Sequence, residues 1–159
     1  MSYLAWKLVH IVSVVLFLGN ITTGLFWAAH AHRSRDLRLI GSTFEGIVRS
    51  DRWFTLPGVV GIVVGGVAAA MEANLPILGT GWILWSILLF SISGIAFGAR
   101  LAPLQKEIVH VARSGKDSPP TWEAYALLHR RWELWGLLAW ITPVLALAIM
   151  VLKPSLPGL

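Results

Sequence analysis

Few residues of this chain are equipped for chemistry. It has five histidines, eight carboxylates and no cysteine among 159 residues. Without a thiolate it holds no disulfide, no iron–sulfur cluster and no thioether-linked haem. It carries no nucleophile elbow, phosphate-binding glycine loop, dinucleotide fingerprint or HExxH pair. His10 stands out because it interrupts a long apolar run. An imidazole inside hydrocarbon needs a partner, and an ionisable residue at that depth is a functional candidate by default. Imidazole is also the usual protein ligand of non-covalently bound haem. Lys7 lies one helical turn before it. There a cation either meets a haem propionate or snorkels to the headgroups. Met71 falls at a matching depth on the second apolar stretch. Its thioether offers a soft axial ligand or simply fills a gap. The candidate site is His10, either hydrogen-bonded to a neighbouring helix or on the iron of a b-type haem with Lys7 and Met71 beside it.

The other polar residues divide by depth. His30, His32, His110 and His129 map to the opposite side from His10. The separation of His10 from His129 is about 20 Å of a roughly 30 Å hydrocarbon core, so the two cannot share one iron. Asn20, Thr22 and Thr23 lie deep in the first apolar stretch, where hydrogen bonding between helices is their expected role. Gly58, Gly61, Gly65 and Gly66 form one small-residue face, and Gly94, Gly98 and Ala102 another. Such faces allow close helix packing or leave space for a flat macrocycle. Pro143 interrupts the last apolar stretch and predicts a kink. Glu133 is placed one turn from Arg130, where an ion pair is expected.

The elements that must position these residues are membrane helices. The chain is 56% hydrophobic and 13% charged, with mean hydropathy +0.70. Soluble domains run near 45–50% apolar and about 25% charged. Four apolar stretches, about 3–29, 56–73, 82–104 and 132–152, each reach the roughly 20 residues a spanning helix needs. The expectation is a single all-α membrane domain, a bundle of four transmembrane helices. The net charge of +5 does not point to nucleic acid, because every Lys and Arg except Lys7 and Lys153 falls in two inter-helix segments. Basic segments mark the cytoplasmic side, so both termini are placed outside. The start lacks early positive charge, and its apolar run is too long for a cleaved signal. Leu37, Ile40, Phe44, Ile47 and Val48 recur at helical spacing among arginines and predict an amphipathic helix on the cytoplasmic surface. Leu104, Ile108 and Val111 predict that the third helix continues inward past Pro103 towards Gly115, with a breaker-rich linker over 116–120. Trp6 with Trp85, Arg52 with Arg131 and Trp53 with Trp132 repeat at an offset of 79, suggesting two parallel hairpins.

Several short patterns run together: Lys7-x-x-His10, Gly19-Asn20, Asp51-x-Trp53-Phe54-Thr55-x-Pro57-Gly58, Gly79-x-Gly81-Trp82 and Arg130-Arg131-Trp132. Over nearly the whole chain they resemble a bacterial family, domain of unknown function 2269, of predicted four-helix integral membrane proteins. The first helix is more distantly similar to the copper-resistance CopD and HemJ-type protoporphyrinogen oxidase membrane superfamily. That similarity implies a haem-ligating histidine on the first helix, which maps to His10. It also implies a basic or ligating residue on the third helix, where the repeat offset places Leu89. The resemblance therefore carries haem binding further than it carries protoporphyrinogen oxidation. The resulting expectation is a b-type haem protein of the bacterial cytoplasmic (inner) membrane, engaged in electron transfer or tetrapyrrole oxidation. A redox partner or quinone would serve it, and a homo-oligomer is compatible with its glycine faces. Two alternatives stand beside it: a copper or small-solute transport protein, and a non-catalytic scaffold subunit.

Overall fold

The structure, a computed structural model, describes residues 2–114 and 121–159. Four long helices make up most of it: α1 (Tyr3–Ser34), α2 (Leu37–Glu72), α3 (Gly81–Ala112) and α4 (Trp122–Leu152). Each is long and apolar enough to cross a membrane, and no strand occurs among the described residues. The chain is an all-α, multi-pass integral membrane protein. Its helices of 31 to 36 residues exceed the span of a bilayer and project beyond it at the end that carries the arginines. We call this the basic end, and the opposite one, where both termini lie, the terminal end.

Local chemistry sets the turns. Arg35 adopts a left-handed conformation (φ 56°) after α1, and Asp36 caps α2 by accepting from the backbone N–H of Arg38 at 2.8 Å. Thr121 caps α4 in the same way, accepting from Ala124 N–H at 3.2 Å. At the terminal end, the segment 153–159 docks on the α2–α3 loop. Leu159 N–H donates to Leu78 C=O at 3.0 Å, and Trp85 Nε1–H donates to Pro157 C=O at 3.3 Å. A side chain at Gly81 would collide with the Leu156 carbonyl, which explains the glycine before Trp82.

Two π-helical turns organise the packing. One covers Asp51–Thr55 in α2 and the other Phe97–Leu101 in α3. The stretches that separate them from the terminal end have 17 and 16 residues, about 25 Å of helix in each case. On the terminal side, α2 packs on α1 and α3 packs on α4. On the basic side, Leu37–Ser50 packs mainly on Ala102–Ala112, while each keeps a smaller contact with α1 and α4 respectively. A π turn inserts a residue and rotates the face that follows it. Each of the two helices thus gains a new main partner beyond its π turn.

The hydrophobic core sits at the basic end, around Ala28, Ile40, Phe44, Ile108, Tyr125 and Trp132. The amphipathic stretch 37–49 is therefore not a surface helix. It continues the second spanning helix, and Ile40, Phe44 and Ile47 bury themselves in protein rather than in headgroups. The helices also run further at this end than the apolar stretches, because Ala28, Ala31, Tyr125 and Leu128 find protein partners there. The expected Glu133–Arg130 pair is not formed; the ion pair among the described residues joins Arg113 to Glu45. Gly94 and Gly98 face open space, so the small-residue face of α3 is not used for packing within the chain. The linker 116–120 lies outside the described residues. The paired hairpins match the sequence repeat: Ser13 meets Gly61 in the first, and Ser93 meets Ala139 in the second, displaced by close to the 79-residue offset.

Candidate functional site

His10 lies where α1 meets the glycine face of α2. A Cβ on Gly65 would stand 2.8 Å from the backbone nitrogen of His10, and one on Gly66 would stand 2.9 Å from its Nδ1. These glycines are needed for close approach, and the imidazole itself fills the space beside them. His10 Nδ1 lies 2.8 Å from the carbonyl oxygen of Ile62. A carbonyl only accepts, so Nδ1 carries a proton, and in the neutral ring the lone pair is then on Nε2. Lys7 is exposed, with Nζ 5.6 Å from the ring centre of Tyr3. Met71 is 67% exposed. Five residues beyond Gly66, it is about 8 Å further along the helix and about 140° around it. The structure thus keeps Lys7 one turn from His10 but does not bring Met71 to either.

Two further polar sites were not singled out by the sequence. The first centres on Asp51, which is 8% exposed in the π turn of α2. Its Oδ1 accepts from Asn20 Nδ2 at 3.0 Å and from Thr55 Oγ1 at 2.8 Å, and its Oδ2 accepts from Gln105 Nε2 at 3.0 Å. Asn20 also donates to Thr55 Oγ1 at 2.9 Å. The cluster ties α1, α2 and α3 together and so joins the two hairpins. Every donor is aimed at the carboxylate. Asn20 and Thr22 fulfil the expected inter-helix role, Thr22 by accepting from Trp140 Nε1 at 2.9 Å. Thr23 bonds only to its own helix, at Gly19 and Asn20 C=O.

The second site lies at the basic end. His32 and His129 stack with ring centres 4.1 Å apart and planes 8° from parallel. The stack is flanked by Trp122 on His32 (5.2 Å) and Trp132 beside His129 (5.9 Å). Tyr125 Oη lies 3.1 Å from His32 Nδ1. His129 Nδ1 and Trp132 Nε1 are buried and have no partner among the described residues. Both side chains line a cavity of about 200 Å³ together with Leu25, Ala29, Glu133 and Leu137. No three His, Cys, Asp or Glu side chains come together as a metal-holding group among the described residues. Doublets such as Asp51/Thr55 were visible in the sequence as i, i+4 polar pairs. Their partners Gln105 and Asn20, and the pairing of His32 with His129 across 97 positions, were not.

The family described as "Predicted integral membrane protein (DUF2269)" matches residues 4–154. The chain belongs to the DUF2269 family. No curated protein and no solved structure matches it. In this DUF2269 chain the Asp51–Gly58 stretch has two faces. Asp51 and Thr55 turn inward to the polar cluster, while Trp53 and Phe54 are exposed, and Gly58 sits against Phe17.

Proposed function

We propose that this chain binds one b-type haem in the terminal half of its bundle, with His10 as the protein ligand, and serves redox chemistry in a bacterial cytoplasmic membrane with its basic end inside. The observation that carries the reading is the His10–Ile62 hydrogen bond. A ligating histidine commonly donates its second ring N–H to a carbonyl, which fixes the tautomer and the ring orientation. His10 is held in this way, and in the neutral ring Nε2 is the nitrogen left for a ligand bond. The rest of the site fits selectively. Lys7 is free to meet a propionate at the interface. Met71 does not supply a sixth ligand, so the reading has one protein ligand. The glycines of α2 leave no slot between α1 and α2, since His10 and the α1 backbone occupy it. A bound haem would supply one-electron chemistry; the chain's part is to hold it and exclude water. Transport of copper draws no support from the side chains described.

The test is an absorption spectrum of the detergent-purified chain, expressed with ample haem. A Soret band is expected in the wild type and its loss in His10→Ala, while His129→Ala keeps it. Retention of a wild-type band by His10→Ala would overturn the reading, as would a wild type that never shows one.

A further inference from the structure

A groove of about 430 Å³ lies on the outer face of α2, lined by Gly46, Arg49, Ser50, Trp53 and Phe54. Its depth in the bilayer follows from the helix. Glu72 ends α2 at the terminal end, and Trp53 and Arg49 lie about 29 Å and about 35 Å from it along the axis. The hydrocarbon core is about 30 Å thick, so Trp53 stands at its edge and Arg49 in the headgroup layer. The groove is thus apolar on the core side and cationic on the water side, the order in which a phospholipid presents acyl chain and phosphate. Trp53 is 70% exposed and Phe54 48%, so both rings are open to lipid. Arg49 is exposed and forms no ion pair among the described residues. Arg52, exposed on the next turn, adds a second positive charge. No carboxylate lines the groove: Glu45 is held by Arg113, and Asp51 is turned inward to Asn20, Thr55 and Gln105. A zwitterionic headgroup would bring its ammonium to these arginines with nothing to receive it; an anionic one brings only charge they attract. Ser50 Oγ–H donates to Ile47 C=O at 3.0 Å, which leaves its oxygen as an acceptor for a headgroup hydroxyl. A Cβ on Gly46 would meet nothing within 4 Å, so the glycine keeps this space open without serving any packing inside the chain.

We propose that this groove binds one anionic phospholipid of the leaflet at the basic end, with its phosphate on Arg49 and its acyl chains against Trp53 and Phe54. A guanidinium matches a phosphate with two parallel N–H donors, which fixes the headgroup rather than merely attracting it. The lipid then lies over the π turn, on the face of α2 opposite to the Asp51 cluster. This site is separate from His10 and does not depend on haem being bound there.

The test is native mass spectrometry of the full chain, purified in detergent and titrated with dioleoylphosphatidylglycerol or dioleoylphosphatidylcholine. The first adduct is expected to form about tenfold more tightly with the anionic lipid, the gain from two arginines. Arg49→Gln should weaken that adduct about fivefold, the loss of one of them. Gly46→Leu leaves every charge in place and fills the groove, and should weaken it at least as much. Arg131→Gln removes an exposed arginine of the same end on α4 and should change affinity less than twofold. Should Gly46→Leu fail to assemble, Arg49→Gln, a change on an exposed side chain, carries the test alone. Equal affinity for the two lipids, unchanged affinity in Arg49→Gln or in an assembled Gly46→Leu, or an equal loss in Arg131→Gln would each overturn the proposal. The last result would mean a diffuse basic surface instead of a site. His10→Ala should bind the lipid as the wild type does, so loss of haem and loss of lipid binding are read separately.

Discussion

The terminal and basic halves of this bundle are built by different rules. In the terminal half, two hairpins pair internally, and large side chains such as Leu8, Val15, Ile95 and Val151 face outward. Lipid is as apolar as leucine, so nothing is gained by burying them in protein. What holds a hairpin together there is backbone approach over Gly58, Gly61 and Gly65, with hydrogen bonds from His10 to Ile62 and from Ser93 to Ala139. In the basic half the helices leave the hydrocarbon, and an aqueous rule returns. Ile40, Phe44, Ile108 and Tyr125 are fully buried, and amphipathic faces close on one another. The π turns and the Asp51 cluster stand at the junction of the two regimes. The lesson is that a membrane helix can serve as a lipid-facing rod and a soluble core element along one axis, provided its face is re-aimed at the boundary.

The largest test of this division is Asp51→Ala. It leaves Asn20, Thr55 and Gln105 without their shared acceptor at the junction, and stranding buried partners costs about 3 kcal/mol or more. Unfolding in mixed detergent micelles should show that loss, and Asp51→Asn should recover part of it. A loss within 1 kcal/mol for Asp51→Ala would mean that the junction is not where the hairpins are joined. Next in size is Gly65→Leu, which drives a side chain into the His10 backbone and should cost about 1–3 kcal/mol. Gly94→Leu, facing open space, should cost nothing measurable. Equal effects at the two glycines would break the contrast between packed and lipid-facing small residues. The smallest effect belongs to Arg113→Ala. Its pair with Glu45 is 59% and 41% exposed on the two sides, and an exposed pair contributes about 1 kcal/mol or less. A measurable stabilisation of the wild type over Arg113→Ala that vanishes in high salt would sharpen the view that the basic half obeys aqueous electrostatics.

The sequence by itself determined what one-dimensional patterns carry. Apolar length fixed the number of spanning helices, because lipid admits only segments that satisfy their own backbone groups. The repeat at 79 suggested the two hairpins, and the isolation of His10 in an apolar run marked it for attention. The same reasoning misjudged 37–49, because an amphipathic face is equally suited to headgroups and to another helix. It also placed Met71 near His10 from depth alone, whereas rotation about α2 carries Met71 away. Only the tertiary structure decided which small-residue face is packed, since Gly65 and Gly94 are indistinguishable until a neighbour is present. It alone joined Asn20, Asp51 and Gln105 into one cluster, and His32 to His129. These contacts bring together residues far apart in the chain. The Asp51 cluster also lies at a π turn, where the helix face rotates in a way that no apolar periodicity records.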